Sequence, residues 1–258
     1  MTAAPAVRTV GPMTDSFQSE AAPVAIVTGA SKGLGLALAR ALADRGWRLV
    51  VDARGEQALA RARGELARLT TVMAVAGDVA DEEHRTRLVS TAAGLGRLDL
   101  LVNNASVLGP SPQPALADYA LDDLRTVYEV NVVAALGLVQ LALPLLAGDG
   151  GAVLNVTSDA AVEGYPGWGG YGSSKAALEQ LSRVLAAEHP ELRVLWVDPG
   201  DMRTDLHQAA YPGEDISDRL PPEASVPGLL ALVASSAPSG RYRIDELSEG
   251  ARAELVGT

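Results

Sequence analysis

The sequence predicts one α/β domain in which helices cover both faces of a doubly wound parallel sheet. Short apolar runs alternate along the chain with helical patterns of about 10–18 residues, and right-handed crossovers between parallel strands produce such an alternation. The length of 258 residues and the hydrophobic content of 48% suit one large core. No internal repeat or second domain is visible, so residues 23–258 are assigned to a single domain.

The overall composition excludes several classes of protein and site. A formal net charge of -11 argues against a surface that binds nucleic acid or anionic membranes. No apolar run reaches the ~18 residues of a membrane span, and the absence of cysteine excludes disulfides and thiolate sites. His84, His189 and His207 show no metal-ligand spacing. Residues 1–22 are rich in Ala, Pro, Ser and Thr and lack the apolar core of a signal peptide, so we expect a disordered tail on a cytoplasmic protein.

The secondary-structure elements follow from the apolar runs and their spacing. A buried strand at 24–28 leads through a glycine cluster into a helix that includes 34–40. In such a sheet, ligands bind beyond the carboxyl ends of the strands, where most polar clusters of this chain fall. The remaining strands are expected at 48–53, 71–75, 99–103, 151–157 and 192–198, and the remaining helices at 56–69, 81–93, 116–146 and 171–188.

The segment after the first strand has the glycine spacing G-x-x-x-G-x-G. Glycine allows the chain to turn tightly and brings backbone N–H groups and the positive helix end against a pyrophosphate. A tight strand-to-helix turn without a ligand is the alternative interpretation. The residues predicted to bind a dinucleotide cofactor here are Gly29, Ser31, Lys32, Gly33, Leu34 and Gly35.

The end of the second strand bears on the type of cofactor. An acidic residue there would bind the ribose 2′-hydroxyl of NAD(H), whereas an arginine would accept the 2′-phosphate of NADP(H). The chain has both, Asp52 and Arg54, and Lys32 adds a second cation within the glycine turn. Two cations against one carboxylate favour NADP(H) over NAD(H). Asp52 either pairs with Arg54 without contacting a ligand or selects NAD(H).

Two further strand ends are expected to lie along the adenosine. After the third strand, Asp78 and Val79 are predicted cofactor contacts, with the Asp78 carboxylate accepting from the adenine amino group. Capping the next helix is the alternative role of that carboxylate. After the fourth strand, Asn103 and Ala105 are predicted to pass beside the adenosine, unless Asn103 instead braces the end of the sheet.

Tyr171 and Lys175 are four residues apart on a predicted helix, so both side chains point into one cleft. A phenol has a reference pKa near ~10, and an ammonium about 4 Å away at an effective dielectric of ~20 would lower it by up to ~3 pKa units. Tyr171 would then exchange a proton near neutral pH, while the Ser158 hydroxyl holds a carbonyl or alcohol oxygen against it. Only two of the 21 Lys and Arg residues are lysines, Lys32 and Lys175, and both fall in these motifs. A surface Tyr and Lys on an ordinary helix is the alternative.

Taken together, these motifs resemble the short-chain dehydrogenase/reductase family over residues 23–206. The resemblance rests on the glycine turn that starts at Thr28, an N-N-A segment, a helix asparagine, a Ser, Tyr and Lys set at the family spacing, and a P-G pair followed by Thr204. It implies a Rossmann-type fold and an enzyme that transfers a hydride. The catalytic residues that it implies are Asn131, Ser158, Tyr171 and Lys175.

The resemblance also implies a role for each of these residues. Tyr171 is the general acid/base, and Lys175 lowers its pKa and binds the nicotinamide ribose. Ser158 polarises the substrate oxygen, and Asn131 holds a water in a proton relay. The residues that the resemblance places at the nicotinamide carboxamide are Pro199, Gly200 and Thr204.

Three features depart from the family pattern. Ser106 stands where a glycine is usual, at the adenosine edge. Asp201 follows the P-G pair and either faces a polar substrate or caps the next helix. The segment after Gly240 resembles the last strand of the family only loosely, which leaves substrate and subunit contacts open. In family members that use NAD(H), an acidic residue binds the cofactor, and its position aligns with Ala53 rather than Asp52. The resemblance therefore also favours NADP(H).

The substrate end is predicted at a lid formed by residues 201–222, which contains Tyr211, three prolines and several acids. Trp168 and Tyr165 either line an aromatic pocket or pack under the lid or at a subunit contact. The full set of further pocket candidates is Asp159, Glu163, Tyr165, Trp168 and Met202.

We therefore expect an NADP(H)-dependent reductase of a small-molecule ketone or aldehyde. By family analogy it forms a homodimer or homotetramer through the helices at 116–146 and 171–188. No nucleic acid, membrane or metal is expected to take part. The alternatives are an NAD(H)-dependent alcohol dehydrogenase, a non-catalytic dinucleotide-binding regulator, and a lyase or epimerase that recycles the hydride.

Overall fold

One sheet of seven parallel strands runs through the residues that the structure, a computed structural model, describes, namely 22–146 and 150–247. The tail predicted for residues 1–22 lies outside these ranges except for Ala22. Each of the six predicted strands is present within one residue of its expected ends. The strand order is β3-β2-β1-β4-β5-β6-β7, and the bounds are β1 (Val24–Val27), β2 (Arg48–Ala53), β3 (Val72–Ala76), β4 (Leu100–Asn103), β5 (Ala152–Val156), β6 (Arg193–Asp198) and β7 (Gly240–Arg243).

The direction of winding reverses at β1, which pairs with both β2 and β4. The chain builds β1 to β3 on one side and then crosses over to build β4 to β7 on the other. A sheet of this kind opens a crevice at the reversal point, outside the carboxyl ends of the strands. The predicted doubly wound α/β fold is therefore confirmed, and it places a ligand crevice beyond β1 and β4.

Helices cover both faces of the sheet. One hydrophobic core packs α1, α2 and α8 on one face, and a second core packs α3 and α5 on the other. The central strands β1, β4 and β5 are mostly apolar and fully buried, as expected for a parallel sheet covered on both sides. The bounds are α1 (Gly33–Ala43), α2 (Glu56–Leu66), α3 (Glu82–Gly94), α4 (Leu121–Tyr128), α5 (Ala134–Leu146), α6 (Gly169–Glu188), α7 (Asp205–Ala210) and α8 (Val226–Ala234).

The helix predicted at 116–146 differs in the structure. A short 3₁₀ turn at Leu116–Asp118 precedes it, so the helix begins at Leu121. Residues 129–133 widen into a π-turn that separates α4 from α5. Turns of this kind open the regular backbone ladder and are frequent at functional sites, and this one contains Asn131.

Two further features of the helices were not expected from the sequence. The apolar helix α8 was not predicted, and it packs on α1.

By length and composition alone, the helical stretch Leu121–Leu146 could cross a membrane, although half of its most apolar window is buried. In the structure α5 packs against α3 and β4, which is the environment of a core helix.

Candidate active site

A cleft of about 1110 Å³ lies beyond the carboxyl ends of the strands. It extends from the turn after β1, past the ends of β2 and β3, to α6 and the segment that leads into α7. Sites for ordinary small molecules measure roughly 300–1,000 Å³. The cleft is therefore large enough for a dinucleotide together with a small substrate.

The glycine turn lies at one end of this cleft and leads into the N-terminus of α1. Gly29 and Gly33 adopt positive φ angles of 67° and 56°, a region that side-chain-bearing residues rarely enter. Lys32 is the N-cap residue of α1, no side chain caps this end, and the first turn of the helix carries no acidic residue. The backbone N–H groups and the positive helix end are therefore available to a phosphate group, and the turn fits a pyrophosphate.

Asn104 holds the glycine turn in place. Its Nδ2 donates to the carbonyl oxygen of Thr28 at 2.8 Å. A Cβ atom on Gly35 would lie 2.5 Å from that Nδ2 and 2.5 Å from the Gly29 carbonyl oxygen, so only glycine fits at this position. Asn104 had not been predicted as a site residue, although it belongs to the N-N-A segment.

The neighbouring Asn103 does not line the cleft, in contrast to its predicted place beside the adenosine. Its side chain is buried, and Nδ2 donates to Asn155 Oδ1 at 2.8 Å. The two asparagines are register partners at the ends of β4 and β5. Because successive residues of a strand point to opposite faces, Asn103 braces the sheet end, which was the alternative.

Asp52 lies at the edge of the cleft but does not pair with Arg54, so the expected ion pair was wrong. Its Oδ1 accepts the Gly29 N–H at 2.7 Å, and its Oδ2 lies 3.0 Å from His84 Nε2. The carboxylate is 1% exposed, and Gly77 leaves the space that the His84 ring occupies. Asp52 therefore holds the glycine turn in place and is itself held by His84. The two residues are 32 positions apart, and no local pattern in the sequence indicates their contact.

The two predicted phosphate-binding cations differ in their environment. Lys32 forms an ion pair with Asp205 at the start of α7, and both side chains are exposed. Arg54 also lines the cleft, and its guanidinium has no ion pair with any residue in the described ranges. Of the two, Arg54 is the cation available at the end of β2.

The cleft brings together most of the other predicted cofactor contacts. The Asp78 carboxylate lines it while its Oδ1 accepts the Ala80 N–H at 3.0 Å. Asp81, not Asp78, caps α3. Of the residues predicted to bind the cofactor, Gly29, Ser31, Lys32, Gly33, Leu34, Arg54, Asp78, Val79, Ala105, Tyr171, Lys175, Pro199, Gly200 and Thr204 line the cleft.

Tyr171 and Lys175 lie one turn apart on α6 and face the same cleft, as predicted from their spacing. Lys175 Nζ lies 5.5 Å from the centre of the Tyr171 ring. The amine donates a hydrogen bond to the carbonyl oxygen of Val156 at 2.8 Å. Both side chains are buried, with 7% and 2% of their surface exposed.

The pKa of Tyr171 is raised, which contradicts the expectation that Lys175 lowers it. Burial is the main cause, and the charges of Asp198 and Asp159 raise the pKa further. A hydrogen bond with the Ser106 hydroxyl acts in the opposite direction. Burial also lowers the pKa of Lys175 to about 8. Burial of the phenol, and not the charge of Lys175, therefore sets the direction of the pKa shift of Tyr171.

Asn131 connects the π-turn to the loop after β4. Its Oδ1 accepts hydrogen bonds from the Ser106 hydroxyl at 3.1 Å and the Val107 N–H at 2.9 Å. Its Nδ2 donates to the Val107 carbonyl oxygen and to Ser174 Oγ. These four bonds occupy the side-chain amide, so the backbone of Asn131 is the part left to hold the predicted water. The Ser106 hydroxyl forms hydrogen bonds with both Asn131 and Tyr171 and so connects the two side chains.

Ser158 lines the cleft near Tyr171, and its hydroxyl is engaged by its neighbour. Oγ donates to Asp159 Oδ1 at 2.9 Å and accepts the Ala160 N–H at 3.2 Å. Asp159 also accepts from the Tyr165 hydroxyl at 3.0 Å. The Ser158 hydroxyl must therefore turn away from Asp159 before it can donate to a substrate oxygen.

An aromatic wall borders the substrate end. The Trp168 ring lies 5.8 Å from that of Tyr171 and 6.2 Å from that of Tyr211, which follows α7. Trp168 thus both lines the cleft and packs against the predicted lid. Of the remaining pocket candidates, Asp159 and Met202 line the cleft, whereas Glu163 and Tyr165 do not.

Comparison with known proteins agrees with this geometry. The family model described as short chain dehydrogenase matches residues 23–215. Sepiapterin reductase from Mus musculus is 36% identical over 203 residues, which cover 72% of this chain and 77% of that protein. The 3-oxoacyl-(acyl-carrier-protein) reductase of rhamnolipid biosynthesis from Pseudomonas aeruginosa is 32% identical over 252 residues, or 94% of this chain and 92% of that one.

Solved structures show the same likeness. A short chain dehydrogenase from Pseudomonas syringae has a TM-score of 0.80 at 31% identity, covering 86% of this chain and 94% of the other. An alcohol dehydrogenase from Thermococcus sibiricus, complexed with 5-hydroxy-NADP, has a TM-score of 0.78 at 28% identity, covering 86% and 95%. Because the family model spans most of the sequence, the chain belongs to the short-chain dehydrogenase/reductase family and is an NAD(P)-dependent oxidoreductase.

Proposed function

We propose that the protein is an NADP(H)-dependent reductase that converts a small ketone or aldehyde into an alcohol. The observation that carries this proposal is the position of the buried Tyr171 phenol, which opens on the same cleft as the glycine turn and lies beside the Lys175 amine. One cleft thus combines a site for a dinucleotide with a proton donor.

The residues of the cleft fit a nicotinamide dinucleotide. The glycine turn and the uncapped end of α1 would hold the pyrophosphate, and Asp78 and Ala105 would border the adenosine. Thr204 and the backbone at Pro199 and Gly200 would contact the carboxamide. When bound, NADPH supplies the hydride that reduces the carbonyl carbon.

Tyr171 would donate the proton that the substrate oxygen needs. Its raised pKa keeps the phenol protonated at neutral pH, so the proton that reduction requires is present. The Lys175 cation would stabilise the phenolate left behind, and Ser158 would polarise the substrate oxygen after releasing Asp159. Asn131 would act through Ser106, which it holds against the tyrosine.

The choice of NADP(H) over NAD(H) rests on the charges at the end of β2. The Asp52 carboxylate is occupied by Gly29 and His84 and is not available to a ribose hydroxyl. Arg54 presents an exposed guanidinium there, which suits a 2′-phosphate. The NADP-type ligand in the T. sibiricus structure supports the same choice.

Replacing Arg54 with Gln is expected to raise the KM for NADPH by about tenfold to a hundredfold, the range for a lost hydrogen bond to a charged group. The KM for NADH should change by less than about twofold, because NADH lacks the phosphate. Initial rates with each cofactor measure both values. Arg61→Gln is the matched control, since Arg61 is exposed on α2 and does not line the cleft. An equal rise with NADPH and NADH would contradict the assigned role of Arg54.

The rate of reduction is expected to fall as the pH rises through about 8, because the buried Lys175 amine loses its proton in that range. Below that pH the ammonium is present and Tyr171 is protonated, so this pair should impose no loss. A profile of kcat between about pH 6 and about pH 10 tests this. Arginine stays charged throughout, so Lys175→Arg should be slower and lack the alkaline decline. A decline that persists in this variant would assign the titration to another group.

The substrate class is proposed from the relatives and from the neutral aromatic wall. Several relatives are named as reductases of carbonyl compounds, including sepiapterin reductase and a sulfoacetaldehyde reductase from Chromohalobacter salexigens. The experiment is loss of NADPH absorbance with a panel of ketones and aldehydes. Net consumption of NADPH would support a reductase, whereas product formation without net consumption would indicate a lyase or epimerase.

We further propose a cytoplasmic homodimer or homotetramer. Exposed apolar side chains on the π-turn, α5 and α6 offer a surface for association, namely Val133, Leu141 and Val184. Sedimentation velocity measures the size of the assembly. A monomer at micromolar concentration would overturn this part of the proposal.

A further inference from the structure

Arg241 on β7 reaches three parts of the molecule that border the cleft. Its Nε donates to Glu179 Oε1 on α6 at 2.9 Å. Its Nη2 donates to the Ser158 carbonyl oxygen at 3.3 Å and to Asp198 Oδ2 at 3.4 Å. One guanidinium thus joins α6, the loop after β5 and the end of β6.

Arg241 contacts α6 through Glu179. Glu179 stands one further turn along the helix face that carries Tyr171 and Lys175, since the three residues are spaced by four. Its carboxylate is 1% exposed, and Oε1 also accepts from Thr157 Oγ1 at 2.9 Å. The helix face that holds the phenol is therefore tied to the loop that holds the serine.

Asp198 is the second buried carboxylate in contact with Arg241. Its charge raises the pKa of Tyr171. Burial raises the pKa of Asp198 itself, and the charges of Arg241 and Arg243 act against that rise. Arg241 therefore offsets part of a negative charge that acts on the phenol.

We propose that Arg241 is a positioning residue. It keeps the Ser158 hydroxyl and the Tyr171 phenol both within hydrogen-bond distance of the same substrate oxygen. This inference rests on the proposed function, because it takes both groups as contacts of that oxygen. Without the guanidinium, the loop after β5 would lose one of its links to α6 and keep the hydrogen bond from Thr157 to Glu179. A lysine keeps the charge, but its single ammonium cannot reproduce the planar fork that contacts Glu179 and the Ser158 carbonyl together.

The test compares Arg241→Lys and Arg241→Gln with the wild-type enzyme. In R241K we expect kcat for ketone reduction to fall about tenfold to a hundredfold, the scale of a small misplacement of reacting groups, while the KM for NADPH stays within about twofold. In R241Q the charge is lost as well. Alcohol oxidation requires the Tyr171 phenolate, so its rate rises with pH. In R241Q this rise should move to higher pH, because the less compensated Asp198 charge raises the pKa of Tyr171 further.

Arg243→Lys is the matched control. Arg243 lies two residues along the same strand and approaches Asp198 at 3.8 Å, and its other ion pairs are to Asp245 and Glu246. It has no hydrogen bond to Ser158 or Glu179 in the described part of the chain. We expect its kcat to stay within about twofold of wild type, and melting temperatures of all variants show whether they fold.

The outcomes separate this inference from the proposed function. A wild-type enzyme that reduces no ketone would overturn the proposed function. Crystal structures of R241K and wild type would still test the positioning through the separation of Ser158 Oγ and the Tyr171 hydroxyl. An unchanged separation, an unchanged kcat in R241K, or an equal loss of kcat in R243K would each overturn the role of Arg241. A larger separation with a selective loss of kcat would support it.

Discussion

Replacing Tyr171 with Phe is expected to lower kcat for carbonyl reduction by roughly 10²- to 10⁴-fold, the contribution of a positioned general acid. The variant loses only the hydroxyl, while the ring keeps its contact with Trp168 at 5.8 Å and its place beside Lys175. NADPH should therefore bind with a dissociation constant within about twofold of wild type. Steady-state absorbance measures kcat, and fluorescence titration measures the binding of NADPH.

Tyr128→Phe is the matched control for this loss. Tyr128 is the last residue of α4 and does not line the cleft, so the same loss of a hydroxyl should leave kcat within about twofold of wild type. A Tyr171→Phe variant that keeps more than about a tenth of the wild-type rate would remove Tyr171 from its assigned role, since a general acid contributes at least about a hundredfold. Weakened NADPH binding in that variant would point to a defect of the cofactor site instead.

Replacing Gly35 with Ala is expected to weaken NADPH binding by up to about a hundredfold, because overpacking costs ~1–3 kcal/mol of folding free energy and the strain falls on the turn that would hold the pyrophosphate. The added Cβ would lie 2.5 Å from the Gly29 carbonyl oxygen and 2.5 Å from Asn104 Nδ2. The carbonyl oxygen belongs to the backbone, so the glycine turn itself must move to accept the methyl group. Calorimetric titration with NADPH measures the change, and thermal unfolding shows how much of the strain destabilises the fold.

Gly64→Ala provides the matched control, because Gly64 is a helical glycine on α2 with no neighbour within 4 Å of an added Cβ. Alanine favours the helix over glycine by about 0.5–1 kcal/mol, so this variant should be slightly more stable and should bind NADPH as wild type does. Normal NADPH binding in Gly35→Ala would show that the turn tolerates the shift and that its close packing is not required for the cofactor.

The position of Asn103 shows where sequence spacing stopped being informative. The N-N-A segment identified the right loop, but it did not show which amide faces the cleft. The orientation of each amide depends on where the strand ends. Asn103 is the last residue of β4 and pairs in register with Asn155, so its side chain is hydrogen-bonded within the sheet. Asn104 lies beyond the strand and turns toward the glycine loop.

Asp52 illustrates a second limit of sequence reasoning. Its place near the end of β2 suggested a choice between an ion pair with Arg54 and a contact with ribose. The partner is instead His84 on α3, which reaches the carboxylate because Gly77 leaves room for the ring. Nothing in the local sequence marks this contact, since α3 must first pack on the sheet.

The sequence by itself determined the doubly wound sheet, the glycine turn after β1 and the shared helix face of Tyr171 and Lys175. These features follow from periodicity and spacing over a few neighbouring residues, which the backbone geometry of strands and helices converts directly into position. Only the tertiary structure decided that burial raises the pKa of Tyr171 and that Arg241 reaches the loop of Ser158 from the last strand. Both depend on the exclusion of water and on contacts between residues far apart in the chain, and neither is encoded in local spacing.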